Sequence, residues 1–212
     1  MKKLILFLAL LISMGAGAQT KKASPQRRVT TPQKKIAEKP IEVKDSVINI
    51  DFSINSNGGF YIPSGESFYI VPFSKKNAHE LYNDMLVRIA RLYKSPDRVT
   101  EKIEDRTIVI NGYASQIASY YYTLEHVQSD TKYHSIIDVS YKLEFNFKDG
   151  KVRVNPPSIS SGEELSLTTG SKYSLYMDKV YKHDKAAIEK IENYFNELIT
   201  ALVYGNEKDE DW

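Results

Sequence analysis

The stretch from Ile137 to Asn155 leaves the backbone little choice. Ile137, Val139, Tyr141, Leu143, Phe145 and Phe147 alternate with Asp138, Ser140, Lys142, Glu144, Asn146 and Lys148, the period of two that gives a strand one apolar and one wet face. Asp149-Gly150 follows, a dipeptide suited to a two-residue turn whose twist matches the flanking strands. Such a turn sets Lys148 against Lys151, Phe147 against Val152, Asn146 against Arg153 and Phe145 against Val154, so apolar side chains oppose one another on one face. Any fold that accepts this chain must roof one side of that hairpin and leave the other in water. Pro156-Pro157 limits how far the second strand continues.

Two amphipathic helices are available as the roof. Asn77 opens the first, with Glu80 three residues on to complete a capping box. Leu81, Met85, Ile89 and Leu92 make its stripe, and Ser95-Pro96 stops it. The second is predicted from Asp184 to Tyr204, with Ala187, Ile188, Ile191, Phe195, Leu198, Ile199 and Leu202 facing inward and Gly205 as its cap. Phe68 to Phe73 reads as an edge strand, since Pro72 cannot donate to a ladder. Arg98–Glu104 and Arg106–Ala114 read as two more strands. Ile117–Val127 fits either period and is taken as a continuation of the second; residues 47–62 are a short extended lead-in broken at Asn57-Gly58-Gly59. Gly162 to Asp178 is polar and predicts an irregular or hairpin excursion. The expected fold class is α+β, a curved antiparallel sheet of about five strands packed by two helices in the order β-α-β-β-β-β-α.

Around this domain, expected at 47–205, the ends have their own character. Lys2-Lys3, the apolar run Leu4–Met14 and the small residues Ala16-Gly17-Ala18 have the form of a signal peptide over residues 1–18. The run is shorter than the ~20 apolar residues that span a bilayer, so no transmembrane segment is expected in the mature chain. Without Lys2 and Lys3 the 29 basic residues become 27, against 27 acidic. Residues 19–46 carry eight basic and three acidic residues among prolines, threonines and serines, which reads as a flexible basic linker able to make weak contact with anionic membrane. Glu207 to Trp212 is an acidic tail expected to fray. The chain has no cysteine, so neither disulfides nor a lipid-bearing thiol enter. The expected address is periplasmic or secreted.

The strand-to-helix entry Phe68-Tyr69-Ile70-Val71 with Lys75-Lys76-Asn77-Ala78-His79-Glu80-Leu81-Tyr82, the strand Ile108-Val109-Ile110-Asn111-Gly112 and the hairpin Leu143 to Val154 resemble an exported Bacteroidetes family known as domain of unknown function 4468, with a TBP-like fold. The resemblance covers roughly residues 67–160. It implies a saddle-shaped sheet under two helices and an envelope address; it implies no activity and brings no functional residues.

Motifs for catalysis are missing from the sequence: it holds no phosphate-cradling glycine loop, no His-Glu-x-x-His, no Gly-x-Ser-x-Gly and no metal-spaced cluster. His79, His126, His134 and His183 are scattered and read as surface histidines. No catalytic, metal or cofactor residue is therefore assigned, and nucleic acid is not expected, because its backbone demands clustered Lys and Arg. The compositional excess is tyrosine, fifteen residues of 212. Tyr120, Tyr122 and Tyr133 are the candidate ligand-facing aromatics, flat rings with a polar tip that suit a sugar face or a protein partner. The expected function is a non-enzymatic binding or interaction module of the bacterial envelope, meeting a glycan, peptide or protein. The alternatives are an envelope hydrolase or lyase with an acidic pair, and a structural subunit of an envelope assembly.

Overall fold

A computed structural model of the chain describes residues 46–123 and 132–205. The leader, most of the linker, His126, Val127 and the acidic tail with Trp212 lie outside the described residues. The elements, in order, are the strands β1 (Ser53–Ile54), β2 (Phe60–Tyr61) and β3 (Tyr69–Pro72), the helices α1 (Ala78–Leu92) and α2 (Pro96–Val99), and the strands β4 (Thr100–Ile103) and β5 (Thr107–Tyr122). Then come β6 (Tyr133–Lys148), β7 (Lys151–Val154), β8 (Ser158–Ser166), β9 (Lys172–Ser174), α3 (Met177–His183) and α4 (Lys185–Tyr204).

Among the described residues the sheet runs β3-β7-β6-β5-β4, all antiparallel, and β8 joins it along the other half of β6 with β9 beyond. The hairpin register is the one the alternation dictates: Phe145 pairs with Val154, Asn146 with Arg153, Phe147 with Val152 and Lys148 with Lys151. Ile137, Val139, Tyr141, Leu143, Phe145 and Phe147 are all buried, while the intervening side chains are half-buried or exposed.

Four features depart from the expected outline. Two short helices add to the pair expected, α2 after α1 with Pro96 in its first turn and α3 just before α4. The polar excursion takes its hairpin form, β8 against β9, but β8 also joins the main sheet, pairing with β6 from Ser135↔Ser166 to Lys142↔Ser158. Seven strands thus form the main sheet where about five were expected, because β8 and β9 carry too few apolar side chains to show a period. The lead-in forms the β1–β2 hairpin and contributes Ile50, Phe52, Ile54 and Ile62 to the core.

That lead-in docks through its backbone. The Asn196 side chain accepts from Phe52 N at 2.9 Å and donates to Phe52 O at 3.1 Å; Glu192 Oε1 accepts from Ile54 N at 2.6 Å; and the Tyr204 hydroxyl accepts from Ile48 N at 2.9 Å and donates to Ile48 O at 3.1 Å. Glu192, Asn196 and Tyr204 are spaced by four and eight, so one line along α4 serves peptide groups that would otherwise be stranded. Helix α1 carries the predicted capping box, Asn77 Oδ1 accepting from Glu80 N at 2.9 Å and Glu80 Oε2 from Asn77 N at 2.8 Å. Its Arg88 donates to the carbonyls of Leu202 and Val203, tying α1 to the last turn of α4.

At the centre, Tyr141 lies over Gly112, its cross-strand partner. Its hydroxyl is 2.9 Å from that of Tyr93, and its ring meets Phe195 edge to face at 5.1 Å. A Cβ on residue 112 would stand 2.2 Å from the Tyr141 ring. Glycine in a strand ordinarily costs roughly 0.5–1 kcal/mol relative to alanine, so Gly112→Ala would stabilise an unobstructed site. Here the overlap reverses the sign, and Gly112→Ala is expected to lose about 2 kcal/mol or more by urea unfolding; unchanged or greater stability would show that Tyr141 does not occupy that space.

Candidate functional site, a tyrosine-walled cleft

Strands β5 and β6 each have 16 residues, which at ~3.3 Å per residue reach about 53 Å. The 20-residue helix α4 is only about 30 Å long at ~1.5 Å per residue. Even laid along the ribbon it cannot cover the whole inner face. Ala118, Tyr120 and Tyr122 continue that face on β5, and Ser135 and Tyr133 continue it on β6. Large rings stand where helix cover ends.

A cleft of about 700 Å³ opens there. Its sheet wall is a row of three nearly parallel rings. Tyr120 and Tyr122 lie 5.5 Å apart with planes inclined by 29°, and Tyr122 and its cross-strand partner Tyr133 lie 5.5 Å apart inclined by 22°. Glu164 enters from β8, Tyr173 and Ser174 from β9, and Tyr176, Lys179 and His183 from α3 and its approach. The ammonium of Lys179 sits 4.6 Å above the Tyr176 ring, a cation–π contact that steadies a flexible side chain.

All three tyrosines singled out in the sequence thus come to one cleft, with unequal access. Tyr120 is only 3% exposed, so it forms the cleft's inner end, whereas Tyr122 and Tyr133 are half-buried. The rings line a concavity on the helix side of the sheet instead of a flat platform on its wet face. Glu164 had no sequence signal, since it sits in a run of serines, glycine and glutamates. Only its register opposite inward-facing Ile137 turns it toward the tyrosines.

The Tyr120 hydroxyl donates a hydrogen bond to the Glu164 carboxylate. Burial, then that bond and the carboxylate's charge, push the Tyr120 phenol well above its ordinary range. Tyr122 is raised as well, by burial first and then by Glu164. The Ser135 hydroxyl, fully buried beside the Tyr122 phenol, makes no hydrogen bond of normal geometry among the described residues. Among the described residues the cleft therefore offers ring edges and phenol groups, one carboxylate, one ammonium and an imidazole, a mixed lining of donors and acceptors with opposed charges.

The other histidines lie elsewhere. His134 stacks on Tyr121 on the outer face, centroids 4.3 Å apart. His79 Nδ1 is 2.8 Å from Asp105, and its Nε2 is 2.9 Å from the Asn83 amide. No group of three metal-ligating side chains occurs among the described residues, and none of their helices is long and apolar enough to cross a membrane.

No family model matches the chain, and no curated protein matches it. Among solved structures, it is similar to a DUF4468 family protein from Bacteroides ovatus, with 12% identity, 64% of this chain and 81% of that chain covered, and a TM-score of 0.37. That is the family which the motifs of residues 67–160 resemble.

A tyrosine held protonated by the fold binds a proton that the unfolded chain releases near pH 10. Stability is then complete below that pH and falls as pH rises above it. For Tyr120 the slope is up to about 1.4 kcal/mol per pH unit. Tyr93, pushed up to about 12 by burial, adds to the same decline. Urea unfolding followed from pH 9 upward should show the loss, and Tyr120→Phe should make it shallower by roughly one tyrosine's share. An unchanged slope in that variant would place the Tyr120 phenol in water.

Proposed function

We propose that this chain is an exported, non-enzymatic binding module of the bacterial cell envelope, and that the tyrosine-walled cleft is where it binds. The observation that carries the reading is the row Tyr120, Tyr122 and Tyr133 along a cavity of about 700 Å³, a size within the range of small-molecule and peptide sites. Tyrosine supplies large contact area with few rotatable bonds and a hydroxyl for orientation, which favours recognition of ligands with flat apolar faces and polar edges. A glycan or an extended peptide has that character. The leader-like residues 1–18 and the basic residues 19–46 support delivery to the envelope, with the linker as a tether that touches anionic membrane weakly.

Hydrolysis or elimination by an acidic pair would need two convergent carboxylates. Among the described residues Glu164 is the one carboxylate in the cleft lining, and it is already engaged by Tyr120.

Titration with soluble envelope glycan fragments and with extended peptides, read by calorimetry, should give saturable binding to one of these classes. Tyr122→Ala and Tyr133→Ala are each expected to weaken it by about tenfold, the ~1–1.5 kcal/mol of one aromatic contact, with folding retained. Binding indifferent to both substitutions would exclude the cleft. In cell fractionation the mature chain should begin at Gln19 in the extracytoplasmic fraction; an uncleaved cytosolic chain would defeat the envelope assignment.

A further inference from the structure

We propose that a second site, on the outer face of the sheet at the opposite end of β6, binds a phosphate ester through Lys148, Lys151 and Arg153. With Phe68, Ile70 and Asn146 these residues line a groove of about 310 Å³. The register explains why they converge: Lys148 stands opposite Lys151, Asn146 opposite Arg153, and Ile70 beside Arg153 on the next strand. Their sequence neighbours Phe147, Val152 and Val154 are buried in the core, so the alternation turns these side chains outward.

Like charges directly opposite in a sheet are destabilising. Lys148 and Lys151 are such a pair, with Arg153 one step further on the same face. Among the described residues none of the three forms an ion pair; those nearby are Lys76 with Asp84 and Lys142 with Glu144. Neighbouring acids have other partners. Asp149 accepts from the Ala78 amide at the start of α1 at 2.9 Å, Glu144 accepts from Asn146 at 3.2 Å, and Asp105 holds His79. The fold thus keeps a cationic cluster whose repulsion it does not relieve.

Arg153 is also set in advance. Its guanidinium carbon lies 3.9 Å from the Phe68 ring centroid, and its Nε donates to Asn155 Oδ1 at 2.9 Å. That leaves the two terminal amino groups without partners among the described residues. A planar fork held on an aromatic ring loses little freedom on binding and matches two oxygens of a tetrahedral anion, while the lysines act as point charges. Three cations suit a dianion better than a single carboxylate. Phe68 and Ile70 give the groove an apolar wall, which fits the carbon skeleton of an ester rather than a bare ion.

A phosphomonoester can be soluble or can be the headgroup of a lipid, and two arms of one experiment separate them. The purified chain is titrated with glycerol phosphate, and separately sedimented with phosphatidylcholine vesicles with and without phosphatidic acid. Binding is expected in at least one arm, weaker at higher salt, and reduced about tenfold by Arg153→Gln and by Lys151→Gln; the responding arm identifies the source. Without ligand, Lys151→Gln removes the like-charge pair and is expected to leave the unfolding temperature equal or raised, which also shows that the variant folds. Absence of binding in both arms, or binding that Arg153→Gln and Lys151→Gln leave intact, would overturn the proposal, as would a lowered unfolding temperature for ligand-free Lys151→Gln.

Discussion

A ribbon of two long strands has to hide one of its faces, and its longest helix is too short to hide all of it. The apolar side of β5 and β6 is sealed over Ile108, Ile110, Val139, Tyr141, Leu143 and Phe145, where α4 supplies Ile191, Phe195, Ile199 and Leu202 and α1 supplies Met85 and Ile89. Beyond Ala118 the same face continues as tyrosine. A tyrosine ring can be half-buried because its hydroxyl keeps a polar contact while its edges exclude water. The cleft is thus what the unroofed end of an amphipathic sheet becomes when its residues tolerate both environments.

The ribbon's geometry is maintained by a local irregularity. Between Ala114 and Ala118 strand β5 carries two extra residues against β6, with Gln116 in the left-handed region at φ 56°. Asp138 gathers this bulge by accepting from Gln116 N at 2.7 Å, the Tyr113 hydroxyl at 2.9 Å and the Ser115 hydroxyl at 3.1 Å. Burial acts to raise its carboxyl, yet these donors outweigh it and hold it below the usual carboxylate range. An even number of inserted residues preserves the parity of the strand, so Tyr120 and Tyr122 stay on the inner face.

What could be read from the residues follows from how strongly each segment expresses a period. The β6–β7 hairpin, the capped helix α1 and the helix ending at Gly205 combine periodicity with a terminal signal, and each stands where those signals put it, although Leu92 at the end of the α1 stripe is exposed. Strand β8 has no such pattern: Ser158–Ser166 is mostly small or acidic, and its place comes from the long β6 offering a free edge. The tyrosines could be named as a group but not oriented, because Tyr120-Tyr121-Tyr122 is consecutive and either face was open to it. Glu164 and the Lys148–Lys151–Arg153 cluster depend on cross-strand register, which links residues far apart in the chain.

The inner face is open at Tyr122 and Tyr133 and closed at Tyr120 and Tyr141. Hydroxyl-radical footprinting of the native protein, resolved by residue, reads this. Among the tyrosines of the cleft and inner face it should label the exposed Tyr173 and Tyr176 fastest, Tyr122 and Tyr133 at intermediate rates, and Tyr120 and Tyr141 slowest. Protection of Tyr122 and Tyr133 equal to that of Tyr141 would mean that the face is fully roofed and that there is no cleft to bind anything.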